Sequence, residues 1–225
     1  MQRIEVDCSV FITGTDTGVG KTHVAVQLLR QLAREGRRVV GMKPVAAGAH
    51  QTVDGWRNED ALALLEASSV PCHYTEVNPV CLPRATAPHI AAAADGHRLD
   101  VSALTAAWQV LADKAEVVVV EGAGGWFVPL AEPAVRGERG PTLADLAVAL
   151  RLPVMLVVGI RLGALNHALL TAAALQASGL PVAGWVANHC EPDFHDADDY
   201  VSDLQRRLPF PCVGRLDFQR AARAS

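Results

Sequence analysis

Two rhythms of apolar residues alternate along the chain. Short runs of consecutive apolar residues mark strands covered on both faces. Between them, apolar positions recur every three or four residues, as in helices packed on one side. The runs lie at 8–13 (CSVFIT), 38–43 (RVVGMK), 117–120 (VVVV), 153–160 (PVMLVVGI) and 182–189 (VAGWVANH), with a last short strand at PCVG. A helix is predicted from about Lys21 to Glu35, where Val24, Leu28 and Leu32 form a stripe flanked by Ala25, Leu29 and Ala33. RNEDALALLEA reads as a second helix capped by Asn58. Others are predicted over 87–95, over 101–115 with Leu104, Trp108 and Leu111 on one stripe, over 165–178 and near 198–207. Segment 131–141 reads as the one plain loop. No internal repeat or linker interrupts the alternation, which predicts one α/β domain over 1–225 with a mostly parallel sheet and helices on both faces.

Composition narrows the function classes. Half of the 225 residues are apolar, enough to bury a core without cross-links. A net charge of −4 gives no electrostatic case for nucleic acid. Neither a leader-like N-terminus nor a membrane-length apolar run is evident, so a cytoplasmic protein with no membrane association is expected. The five cysteines, Cys8, Cys72, Cys81, Cys190 and Cys212, lack C-x-x-C spacing and read as reduced thiols. Eight histidines are scattered without H-E-x-x-H, and no G-x-S-x-G elbow occurs. Among 20 basic side chains only Lys21, Lys43 and Lys114 are lysine, and two of these stand beside glycine- or proline-containing turns. Lysine presents a compact point charge that arginine does not.

The strongest motif is Gly14-Thr15-Asp16-Thr17-Gly18-Val19-Gly20-Lys21-Thr22, between a buried strand and a helix. That context is the one a phosphate-binding loop requires: glycines let backbone N–H groups converge on an anion, and the helix N-terminus adds its positive end. Lys21 would pair with the β/γ-phosphates, and the Thr22 hydroxyl would ligate Mg²⁺. Thr15 stands where the first glycine of this motif usually does. The fold expected is thus a P-loop NTPase-like three-layer sandwich.

Three further clusters fall at or beyond predicted strand ends or at a helix start, where open α/β sheets bind ligands. They are Lys43-Pro44-Val45-Ala46-Ala47-Gly48, Arg57-Asn58-Glu59-Asp60 and Glu121-Gly122-Ala123-Gly124-Gly125-Trp126. Singly, each has an ordinary explanation: a solvated strand-end lysine, an aspartate at the positive end of its helix, a charge beside a flexible turn. Together with GTDTGVGKT, and with LVVGIRLGALNHA and GWVANH in the same order, they resemble the dethiobiotin synthetase family over most of the chain.

The resemblance implies an ATP-dependent cyclo-ligase that joins CO₂ to a diamino carboxylic acid, 7,8-diaminopelargonic acid. A carbamate would form first, then a carbamic–phosphoric anhydride, then the ring. It implies catalytic roles for Lys21 and Lys43 and Mg²⁺ ligation by Thr22, Asp60 and Glu121, hard oxygen donors suited to that ion. Nucleotide contacts fall on Asp16, Thr17, Gly18, Val19, Gly20, Lys21, Thr22, Asp60, Glu121, Gly122, Ala123 and Gly124. Asn188 matches an asparagine that reads the adenine edge. Substrate contacts fall on Ala47 and Gly48, and on Gly163 and Asn166 within the segment Arg161–Asn166, which the family places across a homodimer interface. Tyr200 matches a hydroxyl donor to the substrate carboxylate. Ala47 stands where the family often has serine, and Asp217 where it usually has proline. The alternative is a nucleotide-switch ATPase of the partition or cell-division type. Those place a second lysine early in the phosphate loop, and positions 14–19 hold none.

Overall fold

The computed structural model describes residue 4 and residues 6–218. The first strand, β1 (Val10–Gly14), leads through the glycine-rich turn into helix α1 (Lys21–Arg34) and then β2 (Val39–Met42). Short pieces follow: β3 (Val45–Ala47), a hairpin of β4 (His50–Thr52) and β5 (Gly55–Arg57), α2 (Glu59–Ala67), α3 (Tyr74–Val77) and β6 (Val80–Leu82). The remainder alternates regularly: α4 (Pro88–Ala94), α5 (Val101–Ala112), β7 (Val117–Glu121), α6 (Leu143–Leu150), β8 (Val154–Ile160), α7 (Ala164–Ala177), β9 (Val182–His189), α8 (Ala197–Arg207) and β10 (Cys212–Leu216).

Six strands form one sheet in the order β10-β9-β8-β1-β7-β2, each pair parallel. Successive strand residues point to opposite faces, yet every residue of β1, β7 and β8 is buried, so both faces are covered. Helix α1 follows its predicted stripe, with Val24, Ala25, Leu28, Leu29 and Leu32 buried. Burying one such leucine contributes about 1.5–3 kcal/mol. The outer positions stay polar, so the helix lies on the sheet and presents its N-terminus to the strand ends.

The first strand begins two residues later than its apolar run. Ser9 leaves the ladder and uses its hydroxyl to accept from the Val118 N–H at 2.9 Å. Four small strands, α3 and α6 were not anticipated. β3 pairs with β6, and β4 with β5, over only three residues each, too short for a period to show. Helix α6 did carry a signal, for Thr142 and Asp145 form a reciprocal capping box. Segment 131–141 is a loop as expected, closed at its base by Leu130 N–H donating to Pro141 O at 2.8 Å. Arg139 clamps it, donating through two nitrogens to Asp145 at 2.7 and 2.8 Å and lying over the Phe127 ring at 5.3 Å.

Candidate active site

Strand β1 and helix α1 can be joined by a tight loop only because three glycines permit it. A Cβ on Gly14 would stand 2.6 Å from Val19 Cγ2. Gly20, at φ 88°, lies in the left-handed region, and a Cβ there would meet Asn188 Nδ2 at 2.0 Å. Gly18 is left-handed too, at φ 72°. The Asp16 carboxylate accepts from Thr17 N at 2.7 Å and from Arg161 Nη2 at 2.9 Å, tying the loop to the segment after β8. Asn188, at the end of β9, donates to Val19 O at 2.9 Å and so braces the loop from beneath.

Lys21 begins α1 and folds back to donate from Nζ to Asp16 O at 3.0 Å. It is only 6% exposed. Burial, reinforced by the neighbouring Lys43 charge, lowers its pKa to about 8. Lys43 follows β2 and precedes Pro44, which disfavours helix at residue 43 and directs the side chain off the strand end. It is 4% exposed and donates from Nζ to Glu121 Oε1 at 2.6 Å and Asp60 Oδ2 at 2.8 Å. Burial alone would push this ammonium down, but the Glu121 and Asp60 carboxylates outweigh it and hold the pKa above the ordinary lysine value. Asp60 is the reciprocal case. Its desolvation acts upward, and the Lys43 charge and hydrogen bond, with help from Thr22, bring its carboxyl below the ordinary range.

Thr22, Asp60 and Glu121 come from α1, α2 and β7, yet they converge. The Thr22 hydroxyl donates to Glu121 Oε1 at 2.8 Å. Glu121 is 1% exposed, and its Oε2 has no hydrogen-bond partner among the described residues. A buried carboxylate oxygen left unpaired is unfavourable unless a cation or donor completes it. Two carboxylates and a hydroxyl are the donor set a hard divalent ion such as Mg²⁺ takes beside phosphate oxygens. These residues therefore fit Mg²⁺.

A cavity of about 840 Å³ opens over this group. Thr17, Gly18, Gly20, Lys21 and Thr22 of the glycine-rich loop line it, as do Lys43, Asp60, Glu121, Ala123 and Gly124. The rest of its lining is mostly small and apolar, Ala46, Ala47, Ala85, Ala87, Pro88, Val128 and Pro129, together with the polar His23, Asn58 and Thr86. The structure thus gathers nearly all of the phosphate and metal residues expected from the sequence. Asp16, Val19 and Gly122 support the loop and strand end without lining the cavity, and Gly48 stands just beyond Ala47. Asn188 also lies outside the lining, its amide engaged by the phosphate loop. Gly163, Asn166 and Tyr200 do not line it either. Gly163 caps α7 in the left-handed region, Asn166 is exposed on that helix, and Tyr200 packs edge-on against Phe194 at 4.9 Å on α8. Asp217 is exposed beyond β10.

Sequence reasoning missed two residues behind the site. Tyr74 and Asn78 are buried and joined by a 2.9 Å hydrogen bond, and Asn78 Nδ2 donates to Lys43 O at 2.7 Å. Their spacing of four, one helical turn, was the available signal.

A family model described as AAA domain matches residues 8–224. An ATP-dependent dethiobiotin synthetase BioD from Xanthomonas oryzae pv. oryzae is 47% identical over 215 residues, covering 96% of this chain and 93% of that protein. The protein of the same name from Xanthomonas campestris pv. campestris is 48% identical, covering 95% and 92%. That from Baumannia cicadellinicola is 46% identical, covering 92% and 88%. Among solved structures, the MinC:MinD cell division complex of Aquifex aeolicus matches with a TM-score of 0.58 at 14% identity, covering 95% of this chain and 82% of that one. A ParA family ATPase from Chlorobium tepidum matches at 0.53 and 13%, covering 95% and 86%. At such identities these two show the α/β fold alone.

Proposed function

The chain belongs to the AAA domain family and to the ATP-dependent dethiobiotin synthetases, ligases that consume ATP, and from that premise we propose how its own residues carry the reaction. The substrates are ATP, CO₂ and 7,8-diaminopelargonic acid. The observation that carries the reading is the Lys43 ammonium held between Glu121 and Asp60 at the rim of the phosphate loop.

CO₂ adds to one amine of the diamino acid, which loses a proton and becomes a carbamate. A carbamate oxygen attacks the γ-phosphorus, the bond to the β-phosphate oxygen breaks, and ADP leaves. The second amine then attacks the carbamoyl carbon and expels phosphate, closing the five-membered urea. The first phosphoryl step brings two anions together, so fixed positive charge is the main requirement. Backbone N–H groups of residues 18–22 and the start of α1 receive the phosphates. Lys21 follows the β- and γ-phosphates, and Lys43 bridges the carbamate and the transferring phosphoryl group. Thr22, Asp60 and Glu121 would hold Mg²⁺, which would supply further positive charge at the phosphates. Ala46, Ala47 and Pro88 accommodate the alkyl chain. Ala47 offers its N–H where a hydroxyl is common in the family.

The exposure of Gly163 and Asn166 at the start of α7, beside Leu162 at 80% and Leu170 at 64%, supports a homodimer in which this helix end meets the substrate carboxylate of the other subunit. Tyr200 joins them there. Asn188 borders the adenine while bracing the loop. A single domain carries the whole activity, and the five free thiols suit a cytoplasmic enzyme. No helix among the described residues is long and apolar enough to cross a membrane.

The test is direct. Protein incubated with ATP, Mg²⁺, bicarbonate and the diamino acid should yield dethiobiotin, identified by mass, with one phosphate released per ring formed. Phosphate release that is independent of the diamino acid, with no product, would instead identify a nucleotide-switch ATPase.

A further inference from the structure

Lys43 follows β2 and Asp60 lies in the first turn of α2; the two elements are tied at the far end of α2, where Gly41 N donates to Ser68 Oγ at 3.0 Å. The ladder between β2 and β7 ends at Met42, so the main chain of Lys43 must find other partners. It finds them on one short segment. Lys43 N donates to Val77 O at 2.8 Å, and Lys43 O accepts from Asn78 Nδ2 at 2.7 Å. Asn78 also donates to Val80 O at 3.0 Å, so its amide bridges the end of β2 and the start of β6. At 2% exposure it has no water to fall back on.

The relay continues from Asn78 toward Asp60. Asn78 Oδ1 accepts from the Tyr74 hydroxyl at 2.9 Å, and the same hydroxyl accepts from Asn58 N at 2.8 Å. Asn58 is the cap of α2, its side chain accepting from Ala61 N at 3.3 Å, and Asp60 lies in the first turn of that helix. Three hydrogen bonds therefore link the carbonyl of Lys43 to the residue two before Asp60.

The anchor of this relay is itself restrained. Glu76 accepts from His73 N at 2.9 Å and pairs with Lys114, fixing α3 from outside. The Arg57 guanidinium lies 4.3 Å over the Tyr74 ring. Burial, first among several causes, pushes the Tyr74 phenol above its ordinary pKa, so it remains a donor at neutral pH.

We propose that Tyr74 and Asn78 are positioning residues: through Lys43 O and Asn58 N they hold the Lys43 ammonium and the Asp60 carboxylate in register across the reaction site. This rests on the roles given above to Lys43 and Asp60. Neither Tyr74 nor Asn78 touches the cavity beside the phosphates. Their contribution is geometric, and a misplacement of about 1 Å at a reacting centre lowers a rate by as much as about 10²-fold.

Tyr74→Phe removes one oxygen and leaves the ring and its Arg57 stack. It should lower kcat about 10- to 100-fold. ATP affinity measured by calorimetry without Mg²⁺ should change no more than about threefold, because the phosphate loop is not on the relay. The decisive measurement is a double-mutant cycle by single turnover. In a Lys43→Gln background the Tyr74→Phe loss should shrink to about threefold or less, since the pair it aligns no longer exists. A structural defect would lower both backgrounds equally. Asn78→Ser, which keeps a donor but shortens its reach, gives an independent arm should Tyr74→Phe not fold, with the same cycle expected.

Unchanged kcat, equal losses in both backgrounds, or a loss confined to metal-free ATP affinity overturns the proposal. Normal turnover of Lys43→Gln alone overturns the underlying role of Lys43. An impaired Lys43→Gln beside a normal Tyr74→Phe removes only the relay.

Discussion

At the carboxyl ends of β2 and β7 and the start of α1, Lys43, Glu121 and Lys21 are 4%, 1% and 6% exposed. Lys43 bonds Glu121 at 2.6 Å, and the three are joined to Thr22, Asp60 and Asp16 by hydrogen bonds of 2.8–3.0 Å. At the start of α7, Gly163 and Asn166 are exposed, and Leu162 is 80% exposed. The family resemblance assigns both regions to one reaction. One is assembled within the chain, its charges matched before any ligand arrives. The other offers a bare helix end beside exposed leucines. Under the proposed reaction, the difference follows from what each would hold. Phosphoryl transfer needs charges fixed in advance in a low-dielectric setting. A distal carboxylate needs only a donor and a helix end, and these can be supplied by a second surface.

The largest test of the contrast is on the assembled side. Lys43→Gln should lower kcat about 10²- to 10³-fold while ATP affinity without Mg²⁺ stays within a few-fold, as measured by steady-state kinetics and calorimetry. Arginine at 43 should restore only part of the rate, because its planar fork does not reproduce a point charge between two carboxylates. Turnover near normal in Lys43→Gln would reduce that lysine to a strand-end charge.

On the open side, Asn166→Ala and Tyr200→Phe should each raise KM for the diamino acid about tenfold, with kcat and ATP affinity nearly unchanged. If the pocket is shared between subunits, mixing Lys43→Gln with Asn166→Ala protein should regenerate a minority of normal sites. A mixture that only averages the two activities would place both regions within one subunit.

A smaller effect separates the regions by pH. Free Lys21 has a pKa near 8, lowered first by burial and then by Lys43. A phosphate polyanion favours the protonated form. ATP affinity should therefore be flat with respect to this group below pH 8 and fall above it, by up to about tenfold per pH unit. A titration that is level through pH 9.5 would mean that Lys21 is not a principal phosphate contact. The smallest effect lies outside both regions. Asp145→Ala should lower stability by about 0.5–1 kcal/mol through loss of the α6 cap and the Arg139 clamp. Burial acts upward on the Asp145 carboxyl, but Arg139 and Thr142 hold it below its ordinary value of 3.8. Its contribution is complete above that value and is lost as pH falls through the depressed one. Thermal melting of both proteins at pH 7 and pH 3 should show the gap closing in acid.

The order of long strands and helices was legible because apolar runs and stripes register burial directly. β9 matches its predicted bounds, α1 ends one residue earlier than predicted, and α7 is shifted by one residue at both ends. The phosphate loop was legible because its backbone path tolerates few residues besides glycine. The small pairs β3–β6 and β4–β5 were not, since three-residue strands carry no measurable period. Helix α6 was overlooked despite its Thr142–Asp145 box. Within the site, resemblance named Thr22, Asp60 and Glu121, but nothing in their spacing says that Lys43 bonds both carboxylates. Nor does local sequence reveal the Tyr74–Asn78 relay, whose partners at Lys43 and Asn58 are 35 and 16 residues away.

The ion pairs of Lys43 also bear on the enzyme's own survival. A carbamic–phosphoric anhydride acylates amines, and it forms within reach of protein side chains. An amine reacts through its lone pair, and Lys43, held as ammonium by Glu121 and Asp60, has none to offer. Arginine, which makes up all but three of the basic residues, is equally inert as a guanidinium. Lys21 is the exposed flank in this chemistry, because its lowered pKa leaves a fraction as free amine until phosphates recharge it. Occupation of the nucleotide site thus serves as a protecting group, and a turnover-dependent carbamoyl adduct, if one accumulates, belongs on Lys21 rather than Lys43.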